Sequence, residues 1–252
     1  MEQESPSAVV TGSTSGIGKA IAVRLLRAGY RVVLNYAHND DRAASAFKDA
    51  RCIAQDCILV KADVGQPGQA AKLIDQSIET FGRIDVVVNN AAHVADAPVL
   101  EMTEAQWDST IDVNLKGAFL VAQAAARQML SQDSGGIILN IGSATGIRGR
   151  RNGVNTCASK AGLMVMTQCL ALELAPKIRV NTIIPGLVIT DETLDRFGLD
   201  DPDVRHRREA TIPLARLGTP DDVADAVMLA VSAEARFITG QKIIVDGGQN
   251  MW

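Results

Sequence analysis

Short apolar runs alternate with amphipathic stretches along the whole chain. Residues 8–11 form an apolar run that breaks into Gly-Ser-Thr-Ser-Gly-Ile-Gly, after which Ile21, Leu25 and Leu26 recur at helical spacing up to Gly29. Strands are predicted at 30–36 and 57–61, the latter closed by Ala62-Asp63-Val64, with a helical stretch at 41–50 between them. Residues 69–81 place Ala70, Leu73, Ile74 and Ile78 on one face, the mark of an amphipathic helix. Residues 84–88 are apolar after Asp85, as in a strand covered on both faces, and run into Asn89-Asn90-Ala91-Ala92. Residues 104–129 predict one or two long helices with a break at Val113-Asn114-Leu115. Further strands are expected at 137–141, delivering Gly142-Ser143, at 179–184 before Pro185-Gly186, and at 241–245. Helices are expected at 160–174 and 220–231, the second with Pro220 in its first turn, where a missing N–H costs little. Residues 191–211 are polar and charged and show no apolar face.

Strands alternating with helices, undivided by any linker or repeat, predict one α/β domain over 1–252. Its core would be a doubly wound, Rossmann-like parallel sheet, with a substrate loop near 191–211. Ligands of such a sheet bind at the carboxyl ends of its strands, where the glycine turn, Asn89-Asn90, Ser143 and Pro185-Gly186 all fall. Composition narrows the function classes. A net charge of −4 argues against nucleic acid as a partner, and no apolar run approaches the ~20 residues a membrane span requires. The start, MEQESPSAVV, has neither the basic nor the apolar region of a secretory signal. Cys52, Cys57, Cys157 and Cys169 show no CxxC spacing or nearby histidine cluster, so reduced buried thiols, no metal centre and a cytoplasmic location are expected.

The glycine turn supplies the first chemistry. Gly12 permits the tight turn, Gly16 the approach of backbone to a ligand, and Gly18 close packing of helix on sheet. The helix that follows offers unpaired N–H groups and a positive dipole end to a pyrophosphate. In dinucleotide folds an acid after the second strand holds the adenosine ribose, whereas neutral or basic residues tolerate a 2′-phosphate. Here Asn35, Tyr36, Ala37, His38 and Asn39 occupy that position and no carboxylate precedes Asp40, which favours NADP(H) and leaves NAD(H) open. Arg42 or His38 would supply the positive charge.

Taken together, TGSTSGIG (11–18), Asp63-Val64, NNAA (89–92), VNLKG (113–117), ILNIGS (138–143), ASKAG (158–162) and RVNTIIPGLVIT (179–190) resemble the short-chain dehydrogenases/reductases of the compact type. The tail, PLARLGTPDDVADAV with FITGQKIIVDGG, extends that resemblance over essentially the whole chain. It is similar most of all to acyl-carrier-protein ketoreductases and to sugar or polyol dehydrogenases. The resemblance implies a nicotinamide-dependent oxidoreductase acting on a small carbonyl, alcohol or imine, assembled as a homotetramer or homodimer. It also implies roles. Ser13, Ser15 and Ile17 would join Gly12, Gly16 and Gly18 on the pyrophosphate; Asp63 and Val64 would flank the adenine, and Asn90 and Ala91 the adjoining ribose. Pro185, Gly186, Val188 and Thr190 would hold the carboxamide, and Lys160 the nicotinamide ribose. Ser143 would bind the substrate carbonyl, and Asn114 would position a water in a proton relay.

One position departs from the family. A tyrosine four residues before the lysine would exchange the proton, and Thr156 stands there. The chain's two tyrosines, Tyr30 and Tyr36, fall by the adenosine half, and the enoyl-reductase spacing of seven residues lands on Gly153. An aliphatic hydroxyl is far less acidic than a phenol of pKa ~10 and is shorter, so Thr156 cannot take the role directly. An engineered Tyr→Thr change would give this sequence too; for a natural threonine, two readings remain. In one the enzyme draws its proton from a non-standard donor such as His93, or acts on a substrate, such as an iminium, that needs none. In the other the chain binds cofactor as a sensor or non-catalytic partner subunit. Arg148, Arg150 and Arg151 lie between Ser143 and Thr156 and could grip an anionic substrate or a carrier protein, or serve as a solvated loop.

Overall fold

The computed structural model describes residues 5–251; residues 1–4 of the acidic start, and Trp252, lie outside the described residues. Seven strands form one parallel sheet: β1 (Ser7–Val10), β2 (Arg31–Tyr36), β3 (Cys57–Lys61), β4 (Val86–Asn89), β5 (Gly136–Ile141), β6 (Ile178–Pro185) and β7 (Lys242–Val245). Their order is β3-β2-β1-β4-β5-β6-β7. Val9 pairs with Val33 on one side and Val87 on the other, so the order reverses at β1 and a crevice opens above the β1–β4 junction.

The helices α1 (Gly16–Arg27), α2 (Asp40–Ile53) and α10 (Pro220–Val231) lie against one face. There Ile21, Leu25, Val223 and Val227 bury fully against Val10, Val32 and Val88. On the other face α3 (Gln69–Phe81), α5 (Ala118–Ser131) and α7 (Val154–Leu174) cover Val9, Val33, Val87 and Ile138 with Leu73, Ile74, Val121 and Met129. Burying such side chains contributes about 1.5–3 kcal/mol each, which explains why the strands are apolar on both faces.

The expected break at 113–115 is real. α4 (Glu104–Ile111) passes into a π-helical turn, Asp112–Gly117, before α5 begins. Two expectations are corrected. The helix carrying Lys160 starts at Val154, not at 160, so Thr156 and Lys160 share one helix. Residues 191–211 hold two short helices, α8 (Asp191–Phe197) and α9 (Pro202–Glu209), whose start residues Thr190 and Asp201 cap them with side-chain hydrogen bonds. They do have an apolar side: Leu199, Ile212 and Leu217 are buried together, with Leu194, Phe197 and Val204 packed on them.

The thiols also differ from expectation. All four cysteines are free, but Cys52 and Cys169 are exposed and only Cys57 is fully buried. Among the described residues no helix is long and apolar enough to cross a membrane.

Candidate active site

A single cleft of about 950 Å³ runs along the carboxyl ends of the strands, from Tyr36, His38 and Arg42 to Ser143, Lys160 and Arg208. At its centre Gly12 turns with φ +60°, and a Cβ there would lie 3.0 Å from the Ala91 backbone. Gly18 admits no side chain, since a Cβ would come within 2.4 Å of Asn90 Nδ2 and of the Gly12 carbonyl. The start of α1 is prepared for an anion. Ser15 precedes it without a capping side-chain bond and its first turn contains no acid; α3, α5 and α7 share this, but α1 is the helix that starts on the glycine turn lining the cleft. These open N–H groups above a glycine turn fit a dinucleotide pyrophosphate.

Several residues expected at the cofactor also hold the turn itself, and of these Asn35 and Asn90 line the cleft. Asn35 is buried; its Nδ2 donates to the carbonyls of Ala62 (2.9 Å) and Val60 (3.2 Å), and its Oδ1 accepts from Gly12 N–H (3.1 Å). Ser13 is fully buried outside the cleft wall, and its hydroxyl accepts from Asn35 N–H. Asn90 donates to the Thr11 and Gly12 carbonyls, while the Thr11 hydroxyl accepts from the N–H groups of Asn90 and Ala91. Thr11 was not singled out from sequence as a site residue; as the first residue of the glycine motif it could have been.

Gly16, Ile17, Asp63, Val64, Ala91, Pro185, Gly186, Val188 and Thr190 line the cleft, with Thr190 also capping α8. At the adenosine end Asp40 is engaged: Lys61 donates to both its oxygens and Tyr36 Oη to one. His38 is exposed, 3.9 Å from Asp63.

At the other end β5 delivers Ser143, whose hydroxyl lies 3.0 Å from that of Thr145. Lys160 is buried, and its Nζ donates to the Ile141 carbonyl at 2.7 Å. Burial pushes this ammonium down to about 8, against a smaller opposing pull from Glu192. Asn114, in the π-helical turn, clamps the loop after β4. Its Oδ1 accepts from His93 N–H (2.7 Å), and its Nδ2 donates to the His93 carbonyl (3.0 Å) and to Ser159 Oγ (3.2 Å).

Thr156 has a partner that sequence gave no hint of. Its hydroxyl donates to Asp96 Oδ1 at 3.1 Å, and the same carboxylate receives the guanidinium of Arg150 on both oxygens (2.5 and 2.8 Å) and that of Arg196 from α8. Burial would raise the Asp96 carboxyl, but Arg150, Arg196 and the Thr156 hydroxyl outweigh it and hold it below the usual carboxylate range. Arg148 also lines the cleft; Arg151 does not. Among the described residues no group of three or more His, Cys, Asp or Glu is placed to hold a metal ion.

A doubly wound sheet, a glycine turn under an uncapped helix start, and a serine and lysine at the far end of one cleft define a dinucleotide-binding oxidoreductase. Comparison with known proteins agrees. A family model described as enoyl-(acyl carrier protein) reductase matches residues 12–250. The 3-oxoacyl-acyl-carrier-protein reductase FabG of Staphylococcus aureus is 39% identical over 246 residues, 97% of this chain and 98% of that protein. L-rhamnose 1-dehydrogenase (NAD(P)+) of a Sphingomonas species is 36% identical over 97% of this chain and 96% of that protein. The crystal structure of a short-chain dehydrogenase/reductase described as a glucose/ribitol dehydrogenase, from Brucella melitensis, superposes with a TM-score of 0.89 at 31% identity. It covers 100% of this chain and 99% of its own. The chain belongs to the short-chain dehydrogenase/reductase family, and the relatives named above are oxidoreductases, one of them described as acting with NAD(P)+.

Proposed function

We propose that this protein is an NADP(H)-preferring reductase of a small carbonyl or imine. The observation that carries the reading is the pairing, in one cleft, of an anion-ready α1 start with Ser143 and Lys160. Gly12, Ser15, Gly16, Ile17 and Gly18 would hold the pyrophosphate, Lys160 the nicotinamide ribose, and Pro185, Gly186, Val188 and Thr190 the carboxamide. When bound, the cofactor supplies hydride. Ser143 orients the substrate oxygen, and Asn114 fixes the loop bearing His93. The NADP(H) preference draws on Arg42, which lines the adenosine end with no carboxylate partner among the described residues, and on Asp40 being neutralised by Lys61. The enoyl label of the family model is not adopted, because Gly153 stands where that chemistry needs a tyrosine.

A second reading, a cofactor-binding but non-catalytic subunit, draws on the commitment of the Thr156 hydroxyl to Asp96. The test is fluorescence titration with NADPH and NADH, then a ketone, aldehyde and cyclic-imine panel run on wild type, Thr156→Tyr and Lys160→Ala. NADPH binding tighter than NADH, with turnover abolished by Lys160→Ala, is the expected result. Tight binding with no turnover in wild type selects the second reading, and binding of neither nucleotide sinks both. Loss of a positioned acid slows such chemistry by about 10²–10⁴-fold, so Thr156→Tyr is expected to gain ketone reduction.

A further inference from the structure

Granting the reductase reading, we infer that Lys160 itself hands the proton to the substrate oxygen, acting as the acid that Thr156 cannot be. The two residues lie four apart on α7, and therefore on one face of the helix. The Thr156 hydroxyl is spent on Asp96. That carboxylate is kept ionised by two guanidiniums and so has no proton to give. Lys160 is differently placed. An ammonium carries three N–H donors, and one of them goes to the Ile141 carbonyl. The other two have no acceptor among the described residues, and the side chain lines the cleft. Ile141 is the last residue of β5 and Ser143 follows two residues later, so the strand end that anchors Lys160 also presents the hydroxyl that orients the substrate oxygen. One free N–H suffices for a ribose hydroxyl, leaving the other for the substrate.

As the carbonyl carbon accepts hydride, its oxygen takes one proton from Lys160 Nζ. An O–H bond forms while an N–H bond breaks, and the neutral amine left behind is reprotonated by water entering the open cleft. The charged or titratable groups on the surrounding elements are Asp191, Glu192 and Arg196 of α8, Arg208 of α9, Asp96 and His93 of the loop after β4, Arg150 before α7, and Arg148 of the short helix α6 (Thr145–Arg148). Of these, Glu192 opposes the effect of burial; the balance leaves the ammonium near 8, suited to give a proton in reduction and accept one in oxidation.

The test compares wild type, Lys160→Arg, Lys160→Met and His93→Gln, with NADPH and the best carbonyl of the panel. Arginine keeps the charge and its donors but cannot release a proton. Lys160→Arg is expected to bind NADPH within about threefold of wild type and to lose at least 100-fold in kcat. Wild-type reduction should fall above pH 8 and alcohol oxidation rise through it, with His93→Gln following the same profile. Independently, the ¹³Cε signal of Lys160 in ¹³C-lysine-labelled protein, assigned by its loss in Lys160→Met, should titrate near 8 in the NADP+ complex. Retention of a tenth or more of kcat by Lys160→Arg overturns the inference and leaves the reductase reading standing. So does a pH profile removed by His93→Gln, or a Lys160 signal still protonated above pH 10. Wild type that binds NADPH and reduces nothing fails the reductase reading itself, and this step with it.

Discussion

Thr156 is 7% exposed and has found employment away from proton transfer: it completes the socket in which Asp96 receives Arg150 and Arg196. Lys160, one turn on, bears a thermodynamic cost as well as a chemical opportunity. Its folded value near 8 lies below the ordinary 10.5, so the unfolded chain binds the proton more tightly and stability rises with pH across that window. Below pH 8 the full cost, about 3 kcal/mol, weighs on the folded state. Lys160→Met, which loses one hydrogen bond worth about 1 kcal/mol, is therefore expected to be the more stable protein at pH 7, by about 2 kcal/mol in urea unfolding. Its advantage should close between pH 8 and 10.5; an advantage independent of pH would show that the ammonium is not desolvated. The sequence placed Ser143, Lys160 and Thr156 in register. It could not show that Asn35, Ser13 and Asn90 serve the backbone of the glycine turn, because a polar residue at a strand end reads the same whichever way it faces. Nor could it pair Thr156 with Asp96, which is 60 residues away with no spacing to betray the contact.

The strands and the helices α3 and α10 were legible to within a residue or two, because burial against the sheet leaves regular apolar runs. Residues 191–211 were not. Leu194, Phe197, Leu199 and Val204 meet Ile212 and Leu217 across two short helices and a turn, so they form a cluster without any period along the chain. The start of α7 was missed for a related reason. Its first turn presents Val154, Asn155 and Thr156, and Asn155 is buried to bind the Ala95 and Gln106 carbonyls, not to mark a helix end. α8 touches the body of the protein through that apolar cluster and through Arg196 on Asp96. Arg196→Gln removes the ionic half. A partly exposed pair contributes about 1 kcal/mol, so KM is expected to rise about fivefold with kcat little changed. Amide exchange should quicken across 191–209 and nowhere else. A fall in kcat alone would place Arg196 in the chemistry and not in the seating of α8.

At the scale of the whole molecule, the outer side of α7 is exposed among the described residues. Val154, Val165 and Leu172 are 41%, 59% and 83% exposed and recur at spacings of 11 and 7 residues, three turns and two, which sets them in one stripe. An apolar stripe of this length on a helix that also walls the active site suits a second copy of the chain. Leu172→Glu is expected to shift sedimentation velocity toward a smaller species at micromolar concentration while leaving the circular dichroism unchanged. A single monomeric species in wild type would refute the expectation. The assembly would brace α7 from outside, about 120° round the helix from Lys160.

The π-helical turn at Asp112–Gly117 has a consequence best put in terms of insertions and deletions. A π turn holds one residue more than the α-helix it interrupts. Removing one residue there would let α4 and α5 run on as a single regular helix, with every side chain before the cut swung by about 100°. Asn114 would leave the His93 backbone and Ser159, and the loop that carries Asp96 would lose its clamp. The surplus residue is what keeps this asparagine turned toward the cleft, so this helix tolerates a change of composition far better than a change of length.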